Sequence, residues 1–289
     1  MTAEHTPKLP LELERAIFEN AAHDNNNVAR KLVLIAHRVH IWIEPFLHRI
    51  CYLDLNGLSE DLIQHRILPK PLRIHQHLRH LAISVVNPPY AEISQLLERC
   101  VNVVDFALWT NGRSPDLLDA LRPLTQLQRL SVELFRLLGG NRENPKTTLT
   151  LPIPSPERLV PLRTITHLDV YGDKPAAVIP FLSTLPALTH LALSLGSSDE
   201  FPRDLSPELT RTCLETLPAL RVLVVLTTDL DATEREEIEN IVNDARFCVL
   251  LDDDFLLDWK TGARGGPCFW DRAELRIAEK AAKTKEDRS

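Results

Sequence analysis

The residues with the most chemical potential are few and scattered. Three aspartates stand in a row at Asp252, Asp253 and Asp254. Consecutive side chains on a strand end alternate in direction, whereas hard-cation loops use spaced oxygen ligands around a sharp glycine turn. The run therefore reads as a solvated acidic loop. His75, His77 and His80 form the densest histidine group. Zinc takes three such nitrogens, but this spacing gives them no shared face and supplies no carboxylate to orient them. Five cysteines (Cys51, Cys100, Cys213, Cys248 and Cys268) are widely spaced, odd in number and never arranged as Cys-x-x-Cys. They indicate neither a disulfide framework nor a thiolate site, and read as small buried hydrophobes. Gly262-Ala263-Arg264-Gly265-Gly266 lacks the lysine-serine ending of a phosphate-cradling loop. No Gly-x-Ser-x-Gly elbow, His-Glu-x-x-His pair or dinucleotide fingerprint occurs. The expectation is a chain with no catalytic residue, no metal and no cofactor: not an enzyme.

Composition narrows the partners. The 289 residues are 44% hydrophobic and 25% charged, ordinary for a globular protein. A formal net charge of −7 argues against broad nucleic-acid binding, which needs a basic surface. The first thirty residues are broken by Glu4, Lys8, Glu12, Glu14 and Arg15, so no signal-peptide core is read there. The longest apolar runs, Leu32 to Ala36 and Val222 to Leu226, are far too short to span a bilayer. A cytoplasmic or nuclear protein with no membrane partner is expected.

The elements that must position any site show a recurring pattern: an apolar residue, two others, an apolar residue, one other, an apolar residue. It appears as Ile50-Leu53-Leu55, Leu78-Leu81-Ile83, Val103-Phe106-Leu108 and Leu127-Leu130-Val132. It returns as Ile165-Leu168-Val170, Leu188-Leu191-Leu193 and Leu220-Leu223-Val225, and degenerates at Val249-Leu251. The alternating final pair marks a short strand with one face buried. From Leu53 to Leu223 the central residues lie 28, 25, 24, 38, 23 and 32 positions apart. The two long intervals hold the loop-rich insertions Gly139 to Glu157 and Gly196 to Ser206. Helix starts fall between the strands: Ser114-Pro115 and Ser206-Pro207 pair a capping serine with proline at the first helical position, Pro89 and Pro175 open two more, and Ser59 precedes Glu60-Asp61. Strand alternating with helix implies parallel strands and right-handed crossovers.

This pattern resembles the leucine-rich repeat, whose units run about 20–29 residues. The resemblance covers Cys51 to Leu251 and implies an α/β fold, a leucine-rich-repeat-like solenoid with parallel strands and outer helices. The family's laddering asparagine stands in register only once, at Asn111. An ordinary doubly wound sheet is the rival reading, without a glycine-rich loop after its first strand.

Residues 1–50 precede the stack. Leu9-Pro10-Leu11-Glu12-Leu13 with Ile17-Phe18 form an amphipathic helix opened by proline. A polar break from His23 to Asn27 leads to a second apolar segment that includes Leu32, Val33, Arg38 and Trp42. That order resembles the F-box, more narrowly the F-box-like proteins of fungi that join it to degenerate leucine-rich repeats. The resemblance implies a substrate adaptor of an SCF ubiquitin ligase. Leu9, Pro10, Leu13, Ile17, Phe18, Leu32 and Val33 would then grip the Skp-type adaptor, and the repeats would select an unknown protein target. The stretch between the helices is shorter than the family's. The other reading is a stand-alone repeat scaffold in which these helices only cap the first repeat.

Alternation along the strands sets three outward columns. The first is His80, Asp105, Arg129, His167, His190 and Val222; the middle is Ala82, Ala107, Ser131, Asp169, Ala192 and Val224. The third is Ser84, Trp109, Glu133, Tyr171, Ser194 and Leu226. Small residues in the middle leave room for a partner beside Trp109, Arg129, Glu133, His167, Asp169 and Tyr171, the candidate target-binding set. Alternatively, the insertion Gly139 to Glu157 folds over the same patch. Residues 252–289 read as a capping tail: Trp259 and Trp270 pin it to the exposed end of the stack, and its last helix starts at Asp271 with Glu274 in capping-box spacing. Thr233-Glu234-Arg235-Glu236 reads as the capping box of the last internal helix.

Overall fold

The computed structural model describes residues 9–23, 25–56, 63–110, 117–139, 154–172, 175–194, 207–228, 230–252 and 254–286. Ser59, Asn111, Ser114, Pro115, Ser206, Asp253 and most of both insertions lie outside these.

The fold is α/β, built on a single parallel sheet of eight strands whose spatial order is their order in the chain. They are β1 (Ile50–Asp54), β2 (His80–Val85), β3 (Asp105–Thr110), β4 (Arg129–Val132), β5 (His167–Tyr171), β6 (His190–Ser194), β7 (Val222–Thr227) and β8 (Phe247–Leu251). Leu81, Phe106, Leu130, Leu168, Leu191 and Leu223 are direct partners across successive strands, as the spacing predicts. The two ends differ. Cys51, not Leu53, faces Leu81, and Val249 faces Val225 while Phe247 faces Leu223. Both slips are of two residues, and side chains repeat every two, so the buried face is unchanged.

A backbone device recurs from repeat to repeat. The carbonyl just before one strand accepts two N–H groups from the start of the next. Arg49 O takes Arg79 and His80, Val104 O takes Gln128 and Arg129, and Thr166 O takes Thr189 and His190, all at 2.8–3.1 Å. Each strand thus fixes the height at which its successor begins.

One face of the sheet carries the main core. Leu81, Ile83, Phe106, Leu130, Leu168, Leu191 and Leu223 are nearly inaccessible there. The crossover segments cover them, chiefly α4 (Leu72–His77), α5 (Tyr90–Arg99), α6 (Leu117–Ala120), α7 (Leu134–Leu137), α8 (Pro175–Leu182), α9 (Pro207–Thr216) and α10 (Ala232–Val242). In α5 the buried Ile93, Leu96 and Leu97 recur at three- and four-residue spacing, the stripe that seats a helix on a sheet. The capping box of α10 belongs to Asp231, whose side chain accepts from Glu234 N while Glu234 returns the bond. Thr233 instead lies inside the first turn, because Asp231 has the extended backbone a cap requires.

Ahead of the sheet, residues expected to form two helices form three: α1 (Leu11–His23), α2 (Asn26–Leu32) and α3 (His37–His48). Asn25 caps α2 by accepting from Asn27 N and Val28 N, and a turn at 33–35 splits the second apolar segment. Ala22, Ala29, Val39 and Ile43 form a separate small core, with Phe18, Leu32, Val33 and Trp42 packed around it. An ion pair between Arg38 and Glu14 at 2.6 Å joins α3 to α1.

After β8 come α11 (Phe255–Ala263) and α12 (Phe269–Glu286). They do not sit at the end of the stack. Both lie across the face opposite the crossover helices, called the front face below. The last helix begins two residues before Asp271, whose carboxylate accepts from Cys268 N at 2.8 Å, while Glu274 reaches His190 instead. Among the described residues no helix is long and apolar enough to cross a membrane. Asp231→Ala should lower stability by about 1 kcal/mol, whereas Thr233→Ala at an exposed first-turn position should stay within about 0.5 kcal/mol; urea unfolding of the two variants checks which residue is the cap.

Candidate functional site

Alternation sends every second residue of the sheet to the front face, and the tail helices meet those residues in two different ways. Toward β7 and β8, α12 rests on apolar ground: Ala192, Val222, Val224, Leu226 and Cys248 pack against Phe269, Trp270 and Ala273. Toward β2 and β3, α11 lays Trp259 on the small floor of Ala82 and Ala107. Trp109 meets Phe255 and Trp259 edge to face, with ring centres 4.9 and 6.2 Å apart. Asp258 fixes the two helices together by accepting from Phe269 N at 2.8 Å and pairing with Arg272. Gly262 permits the close turn, since a Cβ there would stand 2.8 Å from that of Cys268.

Between floor and roof lies a chain of buried polar groups. Trp109 Nε1 donates to Ser131 Oγ at 3.1 Å, and Ser131 Oγ donates to Asp169 Oδ2 at 2.6 Å. Ser194 Oγ donates to the other oxygen of Asp169 at 2.5 Å. Burial pushes Asp169 up to about 6, with the nearby Asp252 adding to the rise and the two serines opposing it. Asp105 accepts from Trp259 Nε1 at 3.4 Å and lies 3.2 Å from His80 Nδ1. His167 and His190 stack at 4.0 Å with Trp270 standing edge-on to both, and His190 Nε2 reaches Glu274 at 2.9 Å. Burial first, then His190 and Arg129, lower His167 to about 3, so it is neutral at ordinary pH. A cavity of about 30 Å³ remains among Asp105, Ser131, Asp169, His167, Asp258 and Trp259. It has space for one or two waters and not for a metabolite.

Of the candidate target-binding residues, Trp109, Arg129, His167 and Asp169 meet beneath the tail, whereas Glu133 and Tyr171 are engaged elsewhere. Asp169 and Glu133 are buried, and Trp109, Arg129, His167 and Tyr171 are half-buried. Glu133 leaves the column, because β4 ends at Val132 and Glu133 opens α7, pairing with Arg136 at 2.7 Å. The same early end of β4 explains Tyr171. Its hydroxyl crosses the gap, accepting from Thr110 N at 2.7 Å and donating to Leu108 O at 2.6 Å. The cover over Trp109, Arg129, His167 and Asp169 comes from α11 and α12; positions 140–153 of the insertion expected as an alternative lid lie outside the described residues.

The other chemical candidates are separated. His75 is buried with Nε2 at 3.2 Å from Ile67 O, and burial lowers its pKa; His80 turns to Asp105. Asp252 is buried rather than solvated, while Asp254 is exposed, as expected of a solvated acidic loop, and also caps α11 by accepting from Leu257 N. Cys100, Cys213, Cys248 and Cys268 are buried free thiols, and Cys51 is partly covered. Burial holds the first three up at about 12 and Cys268 at about 11, which keeps them protonated. No group of three or more metal-capable side chains occurs among the described residues.

The N-terminal unit presents the opposite situation. Leu9, Leu11, Leu13 and Ile17 are 53–59% exposed, Leu34 is 82% exposed and Ile35 60%. Pro10 is exposed beside them. Phe18, Leu32 and Val33 are half-buried and support the small core from within. No family model matches the chain, and no curated protein matches it.

Sequence reasoning placed the front-face columns but missed their cover. The available signal was the tail itself, where Phe255, Trp259, Phe269 and Trp270 bring four aromatic rings into a short segment.

Asp169 sets a testable pH dependence. Its folded pKa of about 6 lies above the ordinary 3.8, so its contribution favours the fold at low pH and is lost as pH rises from about 4 to 6. The melting temperature of Asp169→Asn relative to the unsubstituted chain should therefore climb across that window and level off above it. A flat difference between pH 4 and pH 7 would contradict a raised pKa for Asp169.

Proposed function

We propose that this chain is a non-catalytic adaptor whose N-terminal helices dock a Skp-type subunit of an SCF ubiquitin ligase. A leucine-rich-repeat-like stack then presents the surface that selects a protein target, in the cytoplasm or nucleus. The observation that carries this reading is the exposed apolar set on α1 and the turn after α2. Leu9, Leu13, Ile17 and Leu34 stay in solvent although the three-helix unit has its own core. Leu13 and Ile17 stand one turn apart on one face of α1, and apolar side chains exposed together in this way mark a site of association. Leu9, Pro10, Leu13 and Ile17 make the contact in this proposal, with Phe18, Leu32 and Val33 holding α1 and α2 in place behind them.

The rival, a scaffold with no ligase role, draws on a different observation. α3 runs directly into β1, and Arg49 O accepts from the start of β2, so the N-terminal unit also closes the first repeat. Capping and docking use different surfaces of the unit and are compatible.

The test is a purified Skp-type subunit titrated with the full chain and with its Leu13→Asp/Ile17→Asp variant. A complex is expected from the unsubstituted chain. The variant should lose affinity by about a hundredfold or more, since two interface anchors are removed. Its stability should change by no more than about 1 kcal/mol, because both side chains are more than half exposed. A folded chain that forms no complex leaves the scaffold reading standing.

A further inference from the structure

The two halves of the tail rest on different ground, and the difference bears on what the front face takes. Under α12 the sheet is apolar at β7 and β8, with His190 of β6 meeting Trp270 and Glu274 beside them, and removing that helix would open a core. Under α11 the floor is Ala82 and Ala107, bordered by Asp105, Ser131 and Asp169. Charged and hydroxyl side chains are poor core material, since each costs free energy unless it is paired. Here their partners are chiefly one another and His80, and α11 itself engages only some of them. Trp259 Nε1 reaches Asp105 at a long 3.4 Å, and Arg49 donates to Ala263 O at 3.0 Å. The small cavity lies along this same contact.

The other side of α11 is open, with Leu257 58% exposed. What holds α11 to α12 is a latch from its first turn, Asp258 with Phe269 N and Arg272, and the Arg272 side chain is 42% exposed. Gly265, at φ 86°, lies in the turn that joins the two helices. The large leucine core lies on the opposite face of the sheet and is not opened if α11 moves.

We propose that the front face over β2–β4 is a recognition groove for a helix bearing two aromatic side chains four residues apart. In this proposal α11, with Phe255 and Trp259 at that spacing, fills the groove as an internal ligand. The floor of two alanines makes room for an indole, Trp109 flanks it, and Asp105 accepts a ring N–H. The occupant that displaces α11 is therefore a protein helix with an aromatic pair that includes tryptophan. This rests on the front face being the target-selecting surface of the proposed adaptor. It does not depend on ligase docking, which uses the separate surface on α1.

The test uses a fluorescent peptide with the sequence of residues 252–266, added to the full chain and to a full-length Phe255→Ala/Trp259→Ala variant. Anisotropy should show binding to the variant at least tenfold tighter than to the unsubstituted chain. A peptide with its tryptophan replaced by alanine should bind neither. A cooperatively folded variant that takes up no peptide overturns the proposal, whatever the Skp-type subunit does. Hydrogen exchange on the unsubstituted chain covers the case of a variant that does not fold. Amides of α11 should exchange at least tenfold faster than those of the first three turns of α12, and equal protection of the two helices overturns the proposal.

Discussion

The strands at one end of this parallel sheet offer apolar side chains on both faces, so neither face can be left wholly to water. Everything notable about this chain follows from how it meets that constraint. The crossover segments cover one face as they return the chain to each new strand, and they build the large leucine core there. Nothing in that topology covers the other face. The tail does, crossing from β8 back over β3 and β2 before returning along β6 to β8.

That arrangement divides the front face by composition. Near β7 and β8 the strands carry Val222, Val224 and Leu226 where the other strands carry polar or small residues, and α12 settles on them as on any core. Further toward β2 the columns hold aspartate, serine and histidine, and each is satisfied by a neighbour across the sheet. Asp169 is bonded from both sides by Ser131 and Ser194, and His167 stacks on His190. Buried polar rows of this kind fix register and the position of the tail, at a cost in stability that Asp169 shows through its raised pKa.

The strand register was legible in the sequence because a period of two combined with a recurring unit leaves little freedom. Leu81, Phe106, Leu130, Leu168, Leu191 and Leu223 align by spacing alone, and each pairs with the next across the sheet. At the ends the same periodicity failed to distinguish Cys51 from Leu53 or Phe247 from Val249, since a slip of two keeps the same face buried. The tail was misplaced for a different reason. Trp259 and Trp270 announce burial, but their spacing says nothing about which surface receives them. Only the three-dimensional floor of Ala82 and Ala107 does. Glu133 was misread because β4 stops one residue short of it, a boundary that local alternation does not reveal. The exposed residues of α1 were found from the order of residue types, and their exposure is a property of the folded unit that amphipathic spacing alone leaves open.

The central claim, that the tail lies across the middle of the front face, is open to direct observation. In the full chain labelled at alanine methyl groups, nuclear Overhauser effects should connect the Trp259 indole protons with the methyls of Ala82 and Ala107. Cross-peaks from Trp259 to side chains of β8 and none to Ala82 or Ala107 would place the tail at the end of the stack and contradict the account.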